Sequence, residues 1–110
     1  MEFTYTREDI DGKVILHFNG QLAQDNIEKV AALLNPIIQA IGPIKLVIDM
    51  ANCSYINSRT VAHLALWRQF MDDQKGELFL MALQPQVLDV IHVVGLDQII
   101  KVVSTIEEVI

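Results

Sequence analysis

The chain holds a single cysteine, Cys53, and few basic residues, and it has no long uninterrupted apolar run. One cysteine allows no internal disulfide and fits a reducing compartment. Eight Lys and Arg stand against fourteen Asp and Glu, and the resulting net charge of −6 argues against a nucleic-acid partner. The opening stretch MEFTYTRED has neither a basic n-region nor an apolar h-region, so no signal peptide is expected. Nothing approaches the ~20 apolar residues that a bilayer span needs. Membrane insertion is therefore not expected, and the cytoplasm is the expected compartment. Linkers, repeats and low-complexity segments are missing too, so residues 1–110 read as one domain. Apolar residues make up 52% of it, enough for burial alone to hold a core.

Catalytic signatures are equally scarce. No G-x-S-x-G surrounds Ser58, and neither a P-loop nor a G-x-G-x-x-G occurs. His17, His63 and His92 fall on three different predicted elements, without the spacing of a metal-ligand pair. Neither an enzyme nor a metal or cofactor is indicated. Cys53 reads as a small loop residue, with a reactive thiol as the lesser alternative near a helix start.

What is present is an alternation of strands and helices. Phe3 to Glu8 predicts a first strand, Asp11-Gly12 a hairpin turn, and Lys13 to Phe18 the returning strand, ended by Asn19-Gly20. Asp25 or Asn26 caps a helix whose apolar positions, Ile27, Val30, Ala31, Leu34, Ile37, Ile38 and Ile41, recur at helical spacing. Pro36 interrupts that pattern, which predicts a kinked or two-piece helix. Ile44 to Met50 reads as a strand buried on both faces, and Ala51 to Asn57 as a short polar loop. Ser58 to Lys75 predicts a second helix, closed at Gly76, and Glu77 to Leu83 another buried strand. Pro85 suits the first position of a third helix, with Val87, Leu88, Ile91 and Val94 on one face and Gly95 as its stop. Ile99 to Val103 is a last strand, and Thr105 to Ile110 a short helix capped by Ser104 or Thr105. The expected fold is α/β: a mixed, mostly parallel sheet of about five strands after an N-terminal hairpin, with helices packed against it.

The junction at Asn57 to Thr60 is the first place to look for a site, because strand end, loop and helix start meet there. Ser58 has two readings, an N-cap or a phosphoacceptor at the positive end of a helix, and spacing leaves both open. On the second helix, Val61, Leu64, Ala65 and Met71 form the expected core face. Arg59, His63, Leu66, Trp67 and Phe70 fall opposite, as an expected protein contact.

Several motifs, taken in order, resemble the STAS domain family of anti-sigma-factor antagonists. They are Gly20-Gln21-Leu22 after the hairpin, LVIDM before the loop, YINSRTVAHL at the helix start, Gly76-Glu77-Leu78, and PQVLDVIHVVGLDQII. The resemblance covers nearly the whole chain. It implies a non-enzymatic domain that binds an anti-sigma factor or serine kinase and is released when a serine at the start of the second helix is phosphorylated. Ser58 falls on that acceptor position, with Asn57 on the acidic position before it. Arg59 replaces the second serine or threonine, Thr60 replaces a glycine, and Ala23 replaces an acidic residue after Gly-x-Leu. The resemblance thus implies a switch loop of Asn57, Ser58, Arg59 and Thr60, and Arg59, His63, Trp67 and Phe70 are expected to meet the partner or a second copy of the chain. The alternatives are a constitutive subunit of a signalling or transport assembly and a small-ligand-binding domain.

Overall fold

The computed structural model describes residues 3–22 and 26–109. Strand β1 (Thr4–Ile10) turns at Asp11-Gly12 into β2 (Lys13–Leu22). Both turn residues have positive φ, 51° and 76°, which a tight hairpin of this hand requires. Helix α1 (Ile27–Gln39), β3 (Lys45–Ile56), α2 (Ser58–Asp73), β4 (Glu77–Met81), α3 (Pro85–Val93) and β5 (Lys101–Val103) follow. Short 3₁₀ turns lie at Leu96–Gln98 and Ile106–Glu108.

The five strands lie in chain order, β1-β2-β3-β4-β5. Only the β1–β2 pair is antiparallel; the others are parallel. This is the expected mixed sheet. Parallel crossovers are right-handed, and crossovers that advance in one direction set their helices on one face of a sheet. Side-chain alternation agrees: Leu16, Leu46 and Leu80 join one core with Leu34, Leu64 and Ile91 of the three helices. Ile15, Val47 and Phe79 point the other way, into a small cluster closed by Val109 of the last turn. His17 and Asp49 share that second face, with His17 Nδ1 2.6 Å from Asp49 and Nε2 3.0 Å from Glu8 of β1.

Several expectations change. The segment expected to be a loop, Ala51 to Asn57, is strand as far as Ile56. It pairs with Asn19 to Leu22 through two register shifts, and those bulges explain its irregular polarity. Ala51, Asn52 and Tyr55 are exposed there while Cys53 and Ile56 are buried. Cys53 is therefore a core residue, and burial pushes its thiol pKa up, against the reactive-thiol reading. Helix α1 runs through Pro36 as one element, because Ile27, Val30, Leu34 and Ile38 on either side of the proline anchor a single buried stripe. Asn26 stands at its N-cap but spends its amide on the Gln21 carbonyl; Asp25 and Ala23 lie outside the described residues. On α3 only Val87 and Ile91 are buried, whereas Leu88 and Val94 are exposed. The last strand begins at Lys101 rather than Ile99, after the turn that buries Leu96. Thr105 caps the final turn, whose Glu108 reaches back to the backbone N–H groups of Ser104 and Thr105.

Candidate functional site

Helix α2 begins where β2 and β3 end. Asn57, not Ser58, is its N-cap: the Asn57 Oδ1 accepts from the backbone N–H of Arg59 at 3.1 Å and of Thr60 at 3.2 Å. Thr60 completes the capping box by accepting from the Asn57 N–H at 3.4 Å. Its hydroxyl donates to the Leu22 carbonyl, and its side chain is wholly buried, so it fixes the helix start to the end of β2. These bonds decide the state of Ser58. With capping done by its neighbour, Ser58 is the first helical residue, exposed, and its hydroxyl has no hydrogen-bond partner among the described residues.

Arg59 is also exposed, and its Nη1 lies 3.3 Å from Glu28 Oε1 in the first turn of α1. The other oxygen of the same carboxylate is 3.5 Å from His63 Nε2, one turn further along α2. Glu28 thus bridges two basic side chains at i and i+4 on the facing helix. His63 Nδ1 is buried and makes no hydrogen bond. The partners Arg59 and Glu28 are more than half exposed, so the bridge orients side chains more than it stabilises the fold.

The orientation of α2 corrects the expected contact face. Its buried residues are Thr60, Leu64, Trp67 and Met71, a stripe at i, i+4, i+7 and i+11. Leu64 is core as expected, but Trp67 has no exposed surface and cannot offer its ring to a partner. The reason lies on α1, where Asn35 Oδ1 accepts from the Trp67 indole N–H at 2.6 Å. That bond satisfies the one polar atom that would have held the ring at the surface. The ring packs edge-on against Phe18 and beside His63. Phe70 is half-buried against the same core. Of the four residues expected at a contact, Arg59 is open, His63 and Phe70 are partly open, and Trp67 is closed. Gln74 completes the α1–α2 seam by donating to the Ile38 carbonyl at 2.7 Å.

Sequence reasoning passed over Glu28, whose role depends on a helix pairing that no local pattern encodes. Asn57 and Ser58 are both residue types favoured at N-caps, so the sequence does not choose between them. Among the described residues, no group of three or more His, Cys, Asp or Glu is placed to hold a metal ion. No helix among them is long and apolar enough to cross a membrane.

A sheet in chain order, helices on one face and an exposed serine directly after the N-cap of the second helix together define a class. The chain matches the STAS domain model over residues 4–109 and belongs to that family. It is similar in structure to a putative anti-sigma factor antagonist from Thermotoga maritima, at 21% identity and a TM-score of 0.87, covering 96% of this chain and 90% of that one. An anti-sigma factor antagonist from Mycobacterium paratuberculosis gives 22% identity and a TM-score of 0.85, covering 97% and 90%. The Bacillus cell fate determinant SpoIIAA, in its phosphorylated form, gives 18% and 0.70, covering 96% of each chain. No curated protein sequence is similar to the chain at a significant level.

Proposed function

We propose that this domain is a non-enzymatic, cytoplasmic partner-switching module that binds an anti-sigma factor or serine kinase through the start of α2. Phosphorylation of Ser58 then weakens that contact. The observation that carries the proposal is the contrast between two neighbouring hydroxyls. Ser58 stands exposed and unbonded at the position that matches the family's acceptor, whereas Thr60 is buried and bonded. Only the first is open to a kinase. In the reaction the γ-phosphoryl of ATP passes to the Ser58 Oγ, the hydroxyl proton goes to the kinase's base, and ADP leaves. The product carries a charge of about −2 at a helix N-terminus, which the dipole tolerates. A partner surface shaped for a hydroxyl must desolvate that dianion, and binding falls. Arg59 lies next in sequence and can pair with it, at the cost of its bond to Glu28. His63 and Phe70 extend the contact along the partly exposed side of α2.

The test is to incubate wild type and Ser58→Ala with a co-purifying kinase and ATP, map sites by mass spectrometry, and measure partner affinity. Modification confined to Ser58, with Ser58→Asp binding the partner at least ~10-fold more weakly than wild type, is the expected result. Unchanged affinity for Ser58→Asp, with no modification by any co-purifying kinase, rejects the switch.

A further inference from the structure

The sheet face turned away from the helices carries a groove of about 400 Å³, between the edge strand β1 and the last turn. Ile15 and Met81 line it from the middle strands, Ile10 from β1 and Ile106 from the turn. Ile10 is 44% exposed, so one apolar wall stands open. Ala82 lines the same groove at φ 60°, where glycine is the usual residue, and it packs against the apolar cluster beneath.

The charges in the groove are mostly of one sign. Glu8, Asp49 and Glu107 line it, and His17 is the only basic side chain there among the described residues. His17 sits between Asp49 at 2.6 Å and Glu8 at 3.0 Å, so even as an imidazolium it offsets one carboxylate of the three. The groove is therefore negative in either protonation state of His17. Asp49 is further occupied by the Ala51 N–H at 3.0 Å. The second oxygen of Glu8 and both oxygens of Glu107 have no partner among the described residues. The other basic residues of these strands stand elsewhere. Arg7 holds Asp9 on the helix side of β1. Lys13 and Lys45 lie in register at the strand starts beside Glu77, which also holds Lys101 at 3.0 Å.

An apolar groove with a few carboxylates around it suits a ligand that brings a positive charge on an apolar body. An ammonium group offers three donors, and the open oxygens of Glu8 and Glu107 are acceptors still without one. We infer that this groove binds a small organic amine, its ammonium held by Glu8 and Glu107 and its apolar body against Ile10, Ile15 and Ile106. The site is independent of Ser58, whose helix packs on the other face of the sheet.

Amide chemical shifts of the full chain, followed as phenethylamine is added, test it. Phenethyl alcohol, which lacks the charge, and ammonium chloride, which lacks the apolar body, serve as controls at matched ionic strength. Saturable shifts are expected around His17, Ala82 and Ser104 to Glu107 with the amine alone. Glu8→Gln and Glu107→Gln should each weaken binding about tenfold, the loss of one charge-assisted contact. Melting supplies a second readout: phenethylamine is expected to raise the melting temperature of wild type more than that of Glu107→Gln. Equal shifts with either control, amine binding unchanged in both glutamine variants, or no saturable shift at all would each overturn the inference.

Discussion

Strands β2, β3 and β4 send Leu16, Ile48 and Leu80 toward the helices, and His17, Asp49 and Met81 to the opposite side. Under the helices, Trp67 is paired to Asn35 and Thr60 to Leu22, whereas His63 Nδ1 is buried without a hydrogen bond among the described residues. Among the described residues the opposite face is covered by the last turn, and there a histidine lies between two carboxylates while Lys45 stands in register between Lys13 and Glu77. Stability is concentrated where three helices exclude water. The uncovered face and the two ends of the strands tolerate charges that a closed core would reject. A one-sided layer thus leaves a small domain room for chemistry that can change without loss of the fold.

The largest effect expected from breaking this division is that of Trp67→Ala. It empties a large buried volume and strands the Asn35 acceptor, so a loss of about 3–5 kcal/mol is expected in urea denaturation. A loss below ~1 kcal/mol would show that the covered face does not carry the stability. Next comes the cap that joins α2 to the sheet. Asn57→Ala removes the side-chain acceptor of two backbone N–H groups and should cost about 1 kcal/mol, recovered in part by Asn57→Asp.

On the uncovered face the expected effect is smaller and depends on pH. The hydrogen bonds from His17 to Asp49 and then to Glu8 raise its pKa above the usual 6.5. Both ring nitrogens face carboxylate oxygens, so only the imidazolium satisfies them as a double donor. A raised folded-state pKa contributes stability that is fully present below about pH 6.5 and is lost as pH climbs through the folded value. The contribution of this partly exposed group is expected to be at most ~1 kcal/mol. His17→Gln should flatten the stability profile between pH 6 and 9; an unchanged slope would remove His17 from the account.

The smallest effect is expected at the rim between the helices. Glu28→Gln should change stability by no more than ~0.5 kcal/mol, since the groups it bridges are exposed. It should nevertheless strengthen the hold of Arg59 on a phosphorylated Ser58, read as a lower pKa of the phosphoserine by phosphorus NMR. No difference from wild type would mean that Arg59 does not exchange partners.

Much of this architecture is legible in the sequence, for local reasons. Asp11-Gly12 encodes its own turn, Pro85 its own helix start, and the apolar runs around Val47 and Phe79 can only be buried strands. The phase of α2 is not legible. Val61, Leu64, Ala65, Leu66, Trp67, Phe70 and Met71 run around most of the helix, so periodicity does not single out a buried stripe. Asn35 on another helix decides it. The extension of β3 to Ile56 is hidden for the same reason, because its pairing partners lie on β2 and its bulges disturb the alternation. At the site, Ser58 could be singled out by position, but its freedom follows from bonds made by Asn57 and Thr60.

Strand order has a further consequence in time. His17 meets Asp49, Asn35 meets Trp67 and Ser54 meets Gln86, each across the same 32 residues of chain. Loop-closure entropy grows only with the logarithm of length, so each of these closures costs about the same. No strand must wait for one from the far end of the chain, and β3, paired on both sides, is where successive closures meet. Assembly is expected to spread outward from β3, with β1 and the three-residue β5 docking last. Native-state hydrogen exchange would then find the slowest amides at Leu46 to Ile48 and the fastest strand amides in β1 and β5. The edges would open and close many times while the centre stays shut.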